Sequence, residues 1–177
     1  MTRMYFQPIK TWAMSEFALA YSLREMASDG ARGVEGIVLW LGRRADGRAD
    51  VVQLVALRGS GVIKQPDFLR VEPWLLNEVA DLSLHLGLIL IGQIHTHGMG
   101  YSTDLSTVDR VGGIGVPYYL SVVAPDYALR KGTGIIDCGV HVFEPETGFR
   151  RLDSQEVQQR FEIRPGTRPP LVVLGEE

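Results

Sequence analysis

Residues 88–97 read Leu-Ile-Leu-Ile-Gly-Gln-Ile-His-Thr-His. A short apolar run of this kind predicts a buried strand over Leu88–Ile94, with the two histidines at its C-terminal end. Residues i and i+2 of a strand point to one face, so His95 and His97 can present two imidazoles to one ion. Upstream, Pro73-Trp74 opens an amphipathic helix that runs to about Leu86. Leu75, Leu76, Val79, Leu82 and Leu86 fall on one face of it, and Asn77, Glu78, Asp81 and His85 on the other. A helix feeding a buried strand is the unit of a sheet covered by helices.

The rest of the chain extends that pattern. Residues 15–28 predict a helix capped by Ser15, with Glu16 in its first turn and Gly30 beyond its end. Val34–Gly42 is apolar apart from Glu35 and predicts a strand buried on both faces. Asp46-Gly47 is a hairpin turn signal, and Val51–Leu57 returns as a second strand. Residues 58–72, with Gly59, Gly61 and Pro66, read as irregular. Ser102–Arg110 reads as the first turns of a helix ended by Gly112-Gly113. Pro117–Ala124 and Ile135–Phe143 read as strands, Pro145–Gly148 as a turn into Phe149–Leu152, and Ser154–Phe161 as a terminal helix. The expected fold is α/β (α+β): one domain over 1–162, a mixed central sheet flanked by helices. A Pro-rich tail, 163–177, follows, and its Leu171–Leu174 is either a strand closing the domain or an exposed docking segment.

Bulk composition narrows the function classes. A chain of 177 residues that is 45% hydrophobic is expected to form one domain with a real core. The net charge of −3 and the lack of a basic block argue against nucleic acid as a partner. Fifteen of the 18 basic residues are arginine, a bias common in GC-rich bacterial genomes. Cys138 is the only cysteine, which suits a reducing compartment. The start, MTRMYFQPIKTW, lacks the pattern of a signal peptide. The longest apolar run is too short to cross a membrane. The expectation is a soluble cytoplasmic protein.

The chemistry gathers around the histidine pair. A catalytic zinc site keeps three protein ligands and one open position, and neutral imidazoles suit it. Asp109 can be the third ligand. Ser106 and Asp109 stand at i and i+3, so on a helix they share a face. Zinc lowers the pKa of a coordinated water to about 7, and that water needs a proton acceptor. Glu35 is the candidate base, because a carboxylate in so apolar a strand needs a partner. Ser106 can donate to a developing oxyanion. Each element has a plainer reading. Many His-x-His pairs lie on surfaces, Ser-x-x-Asp also matches a helix capping box, and a lone Glu suits an edge strand facing water. The combination is far more specific than its parts.

Other zinc patterns fit less well. A His-x-His-x-Asp-His motif needs Asp where Met99 stands. Barrel amidohydrolases need a chain of roughly 250 residues, and no His-Glu-x-x-His helix is present. Glu35, His95-x-His97 and Ser106-x-x-Asp109, in this order of elements, resemble the JAMM (JAB1/MPN/Mov34) metalloprotease motif over roughly residues 15–143. The resemblance implies the MPN fold, with Glu35 as general acid/base, His95, His97 and Asp109 as zinc (Zn2+) ligands, and Ser106 as oxyanion stabiliser. It implies hydrolysis after the C-terminal glycine of ubiquitin or a ubiquitin-like protein. In the short prokaryotic members it also implies operons with activating and conjugating enzymes, some of them antiphage. Two departures stand out. Gly98 follows the second histidine where the family usually has Pro, and the gap from His97 to Ser106 is one residue longer. Two alternatives accompany this reading: action on a sulfur-carrier adduct or small peptide, and a non-catalytic MPN scaffold.

Other residues read as structural. His85 is expected in solvent. His141 is expected on a strand face with Asp137, hydrogen-bonded or exposed. Cys138 is expected to be buried beside Ile136 and Val140, and Trp12, Trp40 and Trp74 to be core or packing residues rather than a binding platform.

Overall fold

The computed structural model describes residues 7–176. The chain begins with β1 (Thr11–Ser15) and passes directly into α1 (Glu16–Gly30). Ser15 caps this helix, its side chain accepting from the Ala18 N–H at 3.2 Å. Next come β2 (Ile37–Ala45) and β3 (Arg48–Leu57), an antiparallel hairpin. Its two turn residues, Asp46 and Gly47, have φ of 50° and 75°, the left-handed pair that a tight hairpin requires.

A second hairpin follows, β4 (Val62–Gln65) and β5 (Phe68–Val71). The expectation of irregular backbone over 58–72 is therefore corrected. Pro66-Asp67 makes the turn, and Pro66 sets the φ that a turn needs. Then come α2 (Pro73–Leu86), closed by Gly87 at φ 64°, and β6 (Ile89–Thr96). The remaining elements are α3 (Thr107–Gly112), β7 (Leu120–Ala124), β8 (Gly139–Glu144), β9 (Gly148–Arg151), α4 (Ser154–Arg160), β10 (Phe161–Arg164) and β11 (Leu171–Leu174).

The main sheet runs β10-β1-β3-β2-β6-β7-β8-β9, and β11 also pairs with β3. It is a curled mixed sheet flanked by four helices in a single α+β domain, as the pattern of elements predicts. β3 is long enough to share one edge between two partners. Arg48–Asp50 pairs with β1, and Leu54–Leu57 pairs with β11. Of the two readings of Leu171–Leu174, the structure has the strand that closes the domain. The 162/163 boundary falls inside β10, which pairs with β1.

β2 explains its own composition. Val38 and Trp40 face one core with α1, while Ile37, Leu39 and Leu41 face a second core with Leu75 and Val79 of α2. A strand buried on both faces must be apolar throughout. Trp40 is fully buried, and its indole N–H donates to Ser22 Oγ at 3.0 Å.

Several sequence expectations shift. β2 starts at Ile37, so Glu35 precedes the strand. The helix expected over Ser102–Arg110 starts at Thr107. Residues Ile135–Asp137 form a 3-10 turn, so Asp137 and His141 do not share a strand face and Ile136 points outward. His141 is fully buried, with Nδ1 3.2 Å from the Ser121 carbonyl. Burial pushes its imidazole down to about 4. Trp12 and Trp40 are interior, whereas Trp74 is 42% exposed. Cys138 is buried and His85 exposed, as expected. Among the described residues no helix is long and apolar enough to cross a membrane.

Candidate metal centre

β6 lies between β2 and β7, so His95 and His97 emerge at the end of a strand flanked on both sides. His95 pairs with Ile37 and Val123. The His97 N–H continues the ladder to the Ala124 carbonyl at 3.0 Å. Thr96, between them, points away and is fully buried. Its hydroxyl accepts from the Gly36 N–H at 2.9 Å, and its N–H donates to the Gly36 carbonyl at 3.1 Å. The middle residue of the histidine pair thus ties down the backbone next to Glu35. The Glu35 N–H donates to the Gln65 carbonyl of β4 at 2.9 Å.

Asp109 arrives from α3. Its carboxylate oxygens lie 3.5 Å from His95 Nε2 and 3.2 Å from His97 Nε2. One donor atom from each of the three residues lies within 4.8 Å of the others. Atoms held about 2.1 Å from a small tetrahedral cation stand about 3.4 Å apart, so these spacings fit such an ion. The His95 Nε2 atom is buried and has no hydrogen-bond partner. A buried ring nitrogen without a partner is costly unless something binds it. His97 Nδ1 stands 2.6 Å from the Ser102 carbonyl, which places its proton on Nδ1 and turns the Nε2 lone pair toward Asp109. Beside His95, the Gln93 side-chain nitrogen is 3.5 Å from Nδ1, and the Tyr119 hydroxyl donates to Gln93 Oε1 at 2.9 Å, which fixes the amide against the ring.

The electrostatics suit a cation. Burial pushes the Asp109 carboxyl up, but the flanking imidazoles outweigh it and hold the group well below the usual carboxylate range. Burial pulls His97 down, but Asp109, the Ser102 carbonyl and Glu35 outweigh it and leave the imidazole raised. Glu35 is 5% exposed. Burial pushes its carboxyl up to about 7; His97 opposes this, and Asp109 and Asp67 add to it. Glu35, His97, Ser106 and Asp109 line one cleft of about 170 Å³ with Asp67, Phe68 and Tyr101. The structure therefore brings all five expected site residues to one place, with Glu35 just outside its strand rather than within it.

The capping-box reading of Ser106-x-x-Asp109 is also realised. Ser106 Oγ accepts from the Asp109 N–H at 3.1 Å, and the Asp109 carboxylate accepts from the Ser106 N–H at 2.8 Å. Ser106 caps through its lone pair, so its own proton stays free to point into the cleft.

The loop of residues 98–105 is tied at several points. Leu105 is buried, Asp104 pairs with Arg151, and Arg151 donates to Thr103 Oγ1 at 3.0 Å. Gly98 is buried, and a Cβ there would lie 2.9 Å from the Tyr127 hydroxyl and 3.0 Å from the Tyr101 ring. The space that a side chain there would fill is occupied by these tyrosines.

Beside the centre, an apolar groove of about 550 Å³ runs between β5 and α3, with Ile37, Leu69, Val71, Val111, His95 and Asp109 among its lining residues. Sequence reasoning missed this groove, the hairpin that walls it, and the supporting roles of Gln93, Thr96, Ser102 and Tyr127. Pro66-Asp67 was the turn signal that could have revealed the hairpin.

No protein-family model and no curated protein matches the chain. Its fold is similar to the solution structure of protein DSY2949 from Desulfitobacterium hafniense, with a TM-score of 0.60 over 94% of each chain and 14% identity. That likeness concerns the fold alone.

Proposed function

We propose that this chain is a zinc-dependent hydrolase of the JAMM type, an isopeptidase or peptidase that cuts after the C-terminal glycine of a ubiquitin-like protein. One observation carries the reading. Three donor atoms of His95, His97 and Asp109 converge within 4.8 Å, and the buried Glu35 carboxyl faces the same cleft. Two imidazoles and one carboxylate with room for a fourth ligand suit a catalytic zinc. Zinc, when bound, supplies the Lewis acidity that acidifies a water and polarises the scissile carbonyl.

The chain's own residues do the rest. Glu35 takes a proton from the attacking water as its oxygen bonds to the carbonyl carbon. Ser106 Oγ–H donates to the oxyanion that develops there. Glu35 then delivers the proton to the departing nitrogen, the C–N bond breaks, and a carboxylate and an amine leave. Burial, which pushes the Glu35 carboxyl up, suits a group that must both accept and return a proton near neutral pH.

The surroundings suit an extended tail. β5 pairs only with β4 among the described residues, so its outer edge is open beside the cleft and the groove. A substrate strand added there would bring its backbone past the metal ligands.

The test is cleavage of a ubiquitin-like protein fused through its C-terminal glycine to a peptide, followed by mass spectrometry. Zinc-loaded protein is expected to release the peptide, and Glu35→Gln to keep zinc but lose cleavage. Cleavage by Glu35→Gln at the wild-type rate would sink the base assignment. Cleavage of a sulfur-carrier adduct alone would reassign the substrate, and freshly purified protein without zinc would favour a scaffold.

A further inference from the structure

Asp126, Tyr127 and Ala128 follow β7 with φ of 53°, 55° and 59°. Three consecutive non-glycine residues in the left-handed region are strained and persist only where their surroundings hold them. The contacts of Tyr127 show what holds them. Its N–H donates to the carbonyl of His97 at 2.8 Å, and its hydroxyl donates to the carbonyl of Pro66 at 2.7 Å. The first contact is on the strand end that carries the metal ligands. The second is on the turn of the β4–β5 hairpin, next to Gln65, whose carbonyl holds the Glu35 N–H.

Two glycines make room for this residue. A Cβ on Gly30 would lie 2.3 Å from the Tyr127 carbonyl oxygen, and one on Gly98 would lie 2.9 Å from its hydroxyl. The hairpin needs the support. It is a two-stranded sheet separate from the main one, and such a pair is marginal alone. Lys64 fastens its other side, with Nζ 2.7 Å from Asp29 Oδ2 at the end of α1.

We propose that Tyr127 is a positioning residue that clamps the β4–β5 hairpin over the metal centre, joining the backbone of His97 to the hairpin that holds Glu35. The strained turn aims the phenol at Pro66, and the phenol keeps the hairpin closed against the cleft. The consequence for catalysis rests on the hydrolase reading; the clamp itself does not.

Tyr127→Phe keeps the ring and removes only the bond to Pro66. Hydrogen exchange of the protein as purified is expected to quicken about tenfold at the Glu35 amide and across residues 62–71, the loss of one hydrogen bond. The amides of β7 and β8 are expected to stay as in wild type, and metal content to equal that of wild type. On any fusion that wild type cleaves, kcat should fall about tenfold while KM stays within twofold. Unchanged exchange over the hairpin, or exchange that quickens equally over the whole chain, overturns the clamp. If wild type cleaves nothing, the hydrolase reading falls and the exchange data alone decide the clamp.

Discussion

Ser106 and Asp109 exchange two hydrogen bonds, Oγ accepting from the Asp109 N–H at 3.1 Å and the Asp109 carboxylate accepting from the Ser106 N–H at 2.8 Å. The same carboxylate faces both histidines. The cap therefore starts α3 and orients a candidate metal ligand with one set of atoms. Ser106→Ala is expected to lower stability by about 1 kcal/mol through loss of the cap. Under the hydrolase reading it should also lower kcat by about a hundredfold through loss of the oxyanion donor. Chemical denaturation and steady-state kinetics on one preparation separate the two effects. A loss of stability without a loss of rate removes Ser106 from the reaction.

The three-donor centre makes a direct prediction about metal. Wild type should bind one equivalent of zinc, and His95→Ala, His97→Ala and Asp109→Ala should each lose it, by elemental analysis after dialysis. Binding to the folded state alone stabilises it, by about 2.7 kcal/mol at a free concentration one hundred times Kd. Melting temperature should rise with added zinc in wild type and stay flat in the three variants. Equal zinc content in all four proteins would place the metal elsewhere.

Glu35 makes a prediction for the metal-free protein. Burial raises its carboxyl from 4.5 to about 7. A raised folded-state pKa means that the protonated acid is favoured by folding. That contribution is fully present below pH 4.5 and is lost as pH rises through about 7. Glu35→Gln has no such loss. Its stability relative to wild type should climb across this window, by up to about 3 kcal/mol above pH 8. Urea unfolding at a series of pH values checks this, and a constant difference would show that Glu35 is solvated.

The C-terminal strand carries the fourth prediction. β11 covers the Leu54–Leu57 edge of β3, and the Pro170 carbonyl accepts from the Leu54 N–H at 3.0 Å and from Gln53 Nε2 at 2.9 Å. Leu174 packs partly buried in the core that includes Leu75. Truncation after Arg164 should destabilise the fold by about 3 kcal/mol, since Leu171 and Leu174 each lose part of their burial. It should also promote aggregation through the bared strand edge. A truncated chain with wild-type stability and no self-association would contradict the role of β11 in the sheet.

Much of this architecture was legible because its signals are local. Ser15 before an acidic first turn, Asp46-Gly47 between two apolar runs, and the apolar face of residues 75–86 each act within a few residues. The terminal turns of the site were legible too, since His-x-His and Ser-x-x-Asp are spacings that a strand and a helix convert into shared faces. The β4–β5 hairpin was hidden because its strands are short and only half buried, so they lack a clean alternation. The full burial of His141 was hidden because a turn at Ile135–Asp137 shifts the face that strand periodicity implies.

The sequence by itself determined the long helices and the central strands, the buried strand that ends in two histidines, and the residue types able to hold a metal. Only the tertiary structure decided that Glu35 reaches that centre. Its place depends on Thr96 bonding Gly36 and on Gln65 holding the Glu35 backbone, contacts between segments far apart in the chain. Only the fold placed the Tyr127 hydroxyl where a side chain after His97 would otherwise go. Helix and strand periods are set by covalent geometry and read from neighbours. The meeting of distant side chains is set by how the sheet curls and which faces it buries, and no single stretch of sequence contains that information.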